Sequence, residues 1–228
     1  MFFHPMDFLI FIAFGIAIWA QFKVKGNFNR WSQVRSSCGL TGAEVARRIL
    51  DSEGLYHVDV ELSPGGQLSD HYDPIARKVR LSHDVYYGNS IASLSVAAHE
   101  TGHAIQHKVS YPMLVLRHRI FPIANFGSSL APFLLIAGFL FKATGLIGLG
   151  ILFFSAAVAF QLVTLPVEFN ASARAGQKLV QMGFLRQEEM HGVKKVLGAA
   201  ALTYVASALV ALFELLKYVM IFASAREE

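Results

Sequence analysis

The stretch "HETGHAIQH", His99–His107, sets two histidines four residues apart with a glutamate directly after the first. On an α-helix, positions i and i+4 share a face, so His99 and His103 can offer two imidazole nitrogens to one ion. Glu100, beside the first, is placed to take a proton from a water that the ion activates. A zinc ion lowers the pKa of such a water towards about 7. The H-E-x-x-H pattern on a helix is the signature of a metalloprotease. The competing reading is an amphipathic helix that happens to carry histidines, because five-residue matches arise by chance. The preceding segment favours chemistry: Lys78, Val79, Arg80 and Leu81 form a candidate edge strand, which could hold an extended peptide by main-chain pairing. His107 extends the row, but about 12 Å separates it from His99 at 1.5 Å per residue. One ion is not reached by all three turns.

A catalytic zinc normally takes three protein ligands and one water. The single cysteine, Cys38, excludes a cysteine-cluster site and any intrachain disulfide. The third ligand must therefore be a histidine or a carboxylate. His71, in "SDHYDP", is one possibility, as ligand, core residue or substrate contact. Glu168, in "LPVEFNASARA", is the better placed, just after Pro166 closes an apolar segment. Between His103 and Glu168 the chain holds two apolar segments long enough to cross a membrane, so it returns to the face it left. An odd number would have kept the residues apart. For the developing oxyanion, Arg174 and His191 are the candidates.

These residues need elements to hold them. The chain has 228 residues, 54% hydrophobic and 16% charged, whereas an ordinary soluble domain is about 25% charged. That depletion points to a membrane protein and a lipid bilayer. The net charge of +4 fits loops facing anionic lipid, and with no basic run carrying interleaved aromatics, nucleic-acid binding is excluded. Four apolar segments stand out. Phe8–Phe22 reads as an uncleaved anchor, since no basic region precedes it and no small-residue cleavage pattern follows it. Ile120–Phe141 and Ala143–Val167 run uncharged for 22 and 25 residues, each enough for about 30 Å of hydrocarbon. Broken only by Lys142, they read as a helical hairpin. The fourth starts at Val196 and ends near Glu214 and Lys217, three apart and expected to pair.

Between the first two segments, "TGAEVARRILDSEG" opens with Thr41 and Glu44 in capping-box spacing and closes on Gly54. "YHVDVEL" and "ARKVRLS" read as strands around the turn "SPGGQLSD". Asn89 or Ser90 caps the helix that carries the histidines. The expected fold is an α-helical membrane protein of about four transmembrane helices, with a small α+β zincin-like catalytic region carrying H-E-x-x-H on a helix. Its segments are an anchor over 1–22, a cytoplasmic α+β region over 23–119, a transmembrane hairpin over 120–167, a cytoplasmic helical segment with the third ligand over 168–195, and a last transmembrane helix and tail over 196–228.

The segments "LSDHYDP", "VRLSHDVYYGNSIASLSVAAHETGHAIQH" and "LPVEFNASARA" together make the chain resemble the YugP-like neutral zinc metallopeptidases of bacterial membranes. The resemblance implies a membrane-embedded peptidase acting on proteins or peptides, with one Zn2+, His99 and His103 as ligands, Glu100 as catalyst and Glu168 as third ligand. The family's glutamate segment usually reads "EFDAS", whereas Asn170 stands here, so an amide replaces a carboxylate that could orient a histidine. Zinc peptidases of the HtpX type carry an aspartate four residues beyond their glutamate, and Ser172 occupies that place.

Basic residues set the orientation. Lys23, Lys25, Arg30 and Arg35 follow the first segment, Arg117 and Arg119 precede the second, and Arg174, Lys178, Arg186, Lys194 and Lys195 lie between the third and fourth. The other side carries Lys142 and Arg226, with Lys217 nearby. By the positive-inside rule both polar regions are cytoplasmic in a multi-pass protein of the bacterial cell membrane. Two other readings remain in view: a zinc-stabilised membrane protein that binds clients and cleaves little, and a transporter. An intact Glu100 counts against the first, and the scarcity of central charge against the second.

Overall fold

The computed structural model describes residues 4–227, with side chains through Ser224. Met1–Phe3, Glu228 and the Arg226 side chain of the charge comparison lie outside the described residues. Seven helices and three strands follow in the order α1 (Pro5–Ser32), α2 (Gly42–Ser52), β1 (Asp59–Leu62), β2 (His71–Asp73), β3 (Lys78–Leu81), α3 (His83–Tyr86), α4 (Ile91–Lys108), α5 (Pro112–Leu140), α6 (Thr144–Gln181) and α7 (Met190–Glu227). Helices α1, α5, α6 and α7 are each long and apolar enough to cross a membrane. They overrun the apolar segments that announce them. The 38 residues of α6 amount to about 57 Å at 1.5 Å per residue, nearly twice a hydrocarbon core.

The chain divides into two compact units. One comprises Met1–Ala20, Pro112–Pro166 and Thr203–Glu228; the other comprises Gln21–Tyr111 and Val167–Leu202. In the first, α5 and α6 approach closely through glycine. A Cβ on Gly127 would stand 2.7 Å from the Phe153 carbonyl oxygen. Lys142, at φ 53°, turns one helix into the next. The expected Glu214–Lys217 pair is not what forms. Lys217 Nζ binds the Asp7 carboxylate instead, joining α7 to the first turn of α1. A carboxylate from another helix completes this ion pair.

In the second unit, α2 begins with both halves of its capping box, Thr41 accepting from the Glu44 N–H while the Glu44 side chain accepts from the Thr41 N–H, and Gly54 follows its end at φ +69°. Ser90 caps α4, its hydroxyl accepting from the Ser93 N–H at 3.1 Å. Val45, Ile49 and Leu50 of α2, Val79 and Leu81 of β3, Leu94 of α4 and Leu179 of α6 form one buried core. The sheet order is β1-β3-β2, parallel between β1 and β3 and antiparallel between β2 and β3. The sheet corrects one expectation. Lys78, Val79, Arg80 and Leu81 form the central strand, with both edges occupied, so they cannot pair with a peptide. The outer edges fall to β1 and to β2, a three-residue strand just past the turn that the sequence reading assigned to no element. Pro166 is a second correction. It does not end its helix: α6 absorbs both the lost N–H bond and the crowding of the ring against the preceding turn, and runs on for 15 residues.

Candidate metal centre

Helix α4 carries His99 and His103 on one face, their rings edge to face with centroids 4.8 Å apart. Helix α6 brings Glu168 between them. Its Oε2 lies 3.3 Å from His99 Nε2 and 3.5 Å from His103 Nε2, and one donor atom from each residue lies within 4.8 Å of the others. Glu168 is buried, at 3% exposure. Four donors held tetrahedrally at about 2.05 Å from zinc are about 3.3 Å from one another. Both glutamate–histidine distances match that edge length. Two imidazoles and a carboxylate are also the donor set of open catalytic zinc sites, so the residues fit the ion.

Close packing of the two helices makes this meeting possible. A Cβ on Gly102 would stand 2.7 Å from the Ala171 carbonyl oxygen and 3.2 Å from its Cα. Glycine at 102 therefore lets α6 press its backbone against the turn between the two histidines, and Glu168 lies one turn before that contact. Glu100 faces inward at 8% exposure. Burial disfavours charge on His103, but the carboxylates of Glu168 and Glu100, with Gln106, outweigh it and hold the imidazole above its ordinary range.

The groups behind the histidines escaped sequence reasoning. Ser172 Oγ lies 3.1 Å from His99 Nδ1, so the position where HtpX-type peptidases carry aspartate makes its contact here with a hydroxyl. Gln106 Oε1 lies 3.0 Å from His103 Nδ1. Helical spacing held the signal for both, four residues after Glu168 and three after His103. Asn170 does not touch a histidine; its Oδ1 accepts from Gln106 Nε2 at 3.0 Å and from Arg174 Nε at 2.8 Å. Arg174 thus turns its Nε to Asn170. His191 sits elsewhere, edge-on to Trp31 with centroids 6.0 Å apart.

Beyond this centre, His71 Nδ1 bonds the Ser69 carbonyl and stands outside the ligand group. His107 Nδ1 meets the Tyr72 hydroxyl at 2.8 Å, tying β2 to α4. Asp70, just ahead of β2, accepts from the Ser82 N–H at 2.7 Å. Burial holds its carboxyl above the ordinary range; the Ser82 bonds oppose this and the charge of Glu100 adds to it.

The family model described as "Putative neutral zinc metallopeptidase" matches residues 6–223. The chain belongs to this family. It is also 62% identical over 221 residues to the "Putative membrane protease YugP" of Bacillus subtilis (strain 168), covering 97% of this chain and 98% of that one. No solved structure matches the chain. Membership of a zinc metallopeptidase family and four membrane-length apolar helices make this a membrane zinc peptidase at the level of class.

Proposed function

We propose that the chain is a membrane-embedded zinc metalloendopeptidase that hydrolyses peptide bonds of membrane-associated or unfolded proteins at the inner membrane surface. One observation carries the reading: Glu168 Oε2 stands at 3.3 and 3.5 Å from two histidine nitrogens, with Glu100 on the same helix as those histidines. His99, His103 and Glu168 are the ligands. When bound, zinc supplies Lewis acidity to a water and to the scissile carbonyl. Glu100 takes the proton of the attacking water and delivers it to the leaving nitrogen.

The substrate chain lies along β2. Edge strands recognise extended peptides by main-chain hydrogen bonds and leave side chains to pockets, which suits a protease acting on many unfolded sequences. Supporting this placement, β2 is an outer strand, Tyr72 reaches His107 one turn beyond His103, and Asp70 lies in the field of Glu100. The strand thus borders the stretch of α4 that holds the chemistry.

The test separates an enzyme from a client-binding protein. Purified in detergent, the parent should carry about one zinc per chain and cleave an unstructured protein. Glu100→Gln should keep the zinc and lose cleavage, and His103→Ala should lose both. A Glu100→Gln variant that cleaves like the parent removes the assigned base.

A further inference from the structure

A buried polar chain behind His103 has a direction. Gln106 is fully buried. Its Nε2 donates to the Val167 carbonyl at 2.8 Å and to Asn170 Oδ1 at 3.0 Å, while its Oε1 faces His103 Nδ1 at 3.0 Å. Asn170 Oδ1 also accepts from Arg174 Nε at 2.8 Å. Amide orientations are ordinarily ambiguous, but both ends here are chemically fixed. A backbone carbonyl only accepts, and a guanidinium only donates. Arg174 therefore demands the oxygen of Asn170, and that oxygen and the Val167 carbonyl both demand the nitrogen of Gln106. What remains for His103 is the Gln106 oxygen, an acceptor. His103 Nδ1 must carry a proton.

We infer that Gln106 is a positioning residue that holds His103 with its proton on Nδ1 and the Nε2 lone pair available to the metal. Arg174, acting through Asn170, locks Gln106 in that orientation. This rests on the zinc-site reading above. The two histidines are then unequal. His99 Nδ1 faces the Ser172 hydroxyl at 3.1 Å, and a hydroxyl can donate or accept, so its tautomer is left open. Asn170 matters for its oxygen, which an aspartate would also supply, and that explains how an amide serves at this position.

The experiment measures zinc affinity of the metal-stripped full chain in detergent, by competition with a chromophoric chelator, beside the melting midpoint of the same metal-free samples. Gln106→Met, close in volume but without an acceptor, should weaken zinc about 10- to 100-fold, the range for groups that orient a metal-binding histidine. Gln106→Glu keeps an oxygen opposite Nδ1 and should stay within about threefold of the parent. It nevertheless loses both amide donors and should melt no higher than Gln106→Met. A merely structural residue would make affinity follow melting, with Glu at least as harmful as Met; that result overturns the inference. So does a Gln106→Met protein with parental affinity. If Gln106→Met does not fold, Gln106→Glu decides alone: near-parental affinity despite a lowered midpoint supports the inference, and a loss of tenfold or more overturns it. Either failure leaves zinc binding by the parent intact. A parent that takes up no zinc overturns the site reading and this inference together.

Discussion

Gly102→Ala tests how the site is assembled without touching any ligand. The new methyl group would start 2.7 Å from the Ala171 carbonyl oxygen and needs 3.4 Å or more for ordinary contact. The obstacle is backbone on both sides, so α4 and α6 must separate by about 0.7 Å. Metal–ligand distances tolerate only about 0.2 Å, and Glu168 rides on the helix that has to move. Zinc affinity should fall about 100-fold, the upper end of what disturbing the surroundings of a ligand costs. Overpacking of this kind also costs about 1–3 kcal/mol of stability. Gly198→Ala is the matched control. That glycine is also helical, and nothing stands within 4 Å of its Cβ position. It should keep parental zinc affinity and gain about 0.5–1 kcal/mol from the better helix former. Competition titration with a chromophoric chelator, beside thermal melts in detergent, reads both quantities. A Gly102→Ala protein that binds zinc like the parent would refute the claim that close packing of α4 on α6 places Glu168.

Three further outcomes are expected. Glu168→Ala should lose most zinc affinity while His71→Ala and Asp73→Ala keep it, and a metal-deficient His71→Ala would move the third ligand to β2. Protons should act with opposite sign on the stability of the metal-free fold and on its zinc affinity. The raised imidazole of His103 stabilises the metal-free fold fully below its unfolded value near 6.5, a contribution lost as pH rises through the higher folded value. Zinc needs the neutral ring, so over the same interval its affinity rises with pH and offsets that loss in the zinc-loaded protein; melts in chelator that do not fall with pH there, or a zinc affinity that does not rise, would contradict this. In a Cys38→Ser background, a cysteine at Gly65 should resist an impermeant thiol reagent in intact cells and one at Lys142 should react. Labelling at Gly65 without lysis reverses the orientation drawn from the basic residues.

What could be read from the sequence was what repeats locally. His99 and His103 declare themselves by i, i+4 spacing, α2 by Thr41 and Glu44, the four long helices by uncharged runs. Glu168 was reachable by a parity argument, two crossings returning the chain to the same side. The rest depends on contacts between distant segments. Whether Ser172 or Asn170 meets a histidine is decided by the rotation of α6 against α4, and that rotation is set where Gly102 meets Ala171. Strand order is equally nonlocal. The alternation in "KVRLS" shows a strand but not that β1 and β2 flank it, and β2 at three residues is too short for a pattern. Lys217 offered Glu214 as a local partner, while its actual partner, Asp7, lies 210 residues away. Pro166 misled because proline usually stops a helix, and α6 absorbs it.

The most direct test of the centre is a zinc-edge X-ray absorption spectrum of the purified, zinc-loaded protein. Two imidazole nitrogens and a carboxylate predict a shell of nitrogen and oxygen at about 2.0–2.2 Å, with the imidazole signature of two histidines. The same spectrum of Glu168→Ala, loaded at high zinc, should keep both imidazoles and alter only the oxygen contribution. A third imidazole in the parent spectrum, or sulfur at about 2.3 Å, would contradict the assignment of His99, His103 and Glu168 as the metal ligands.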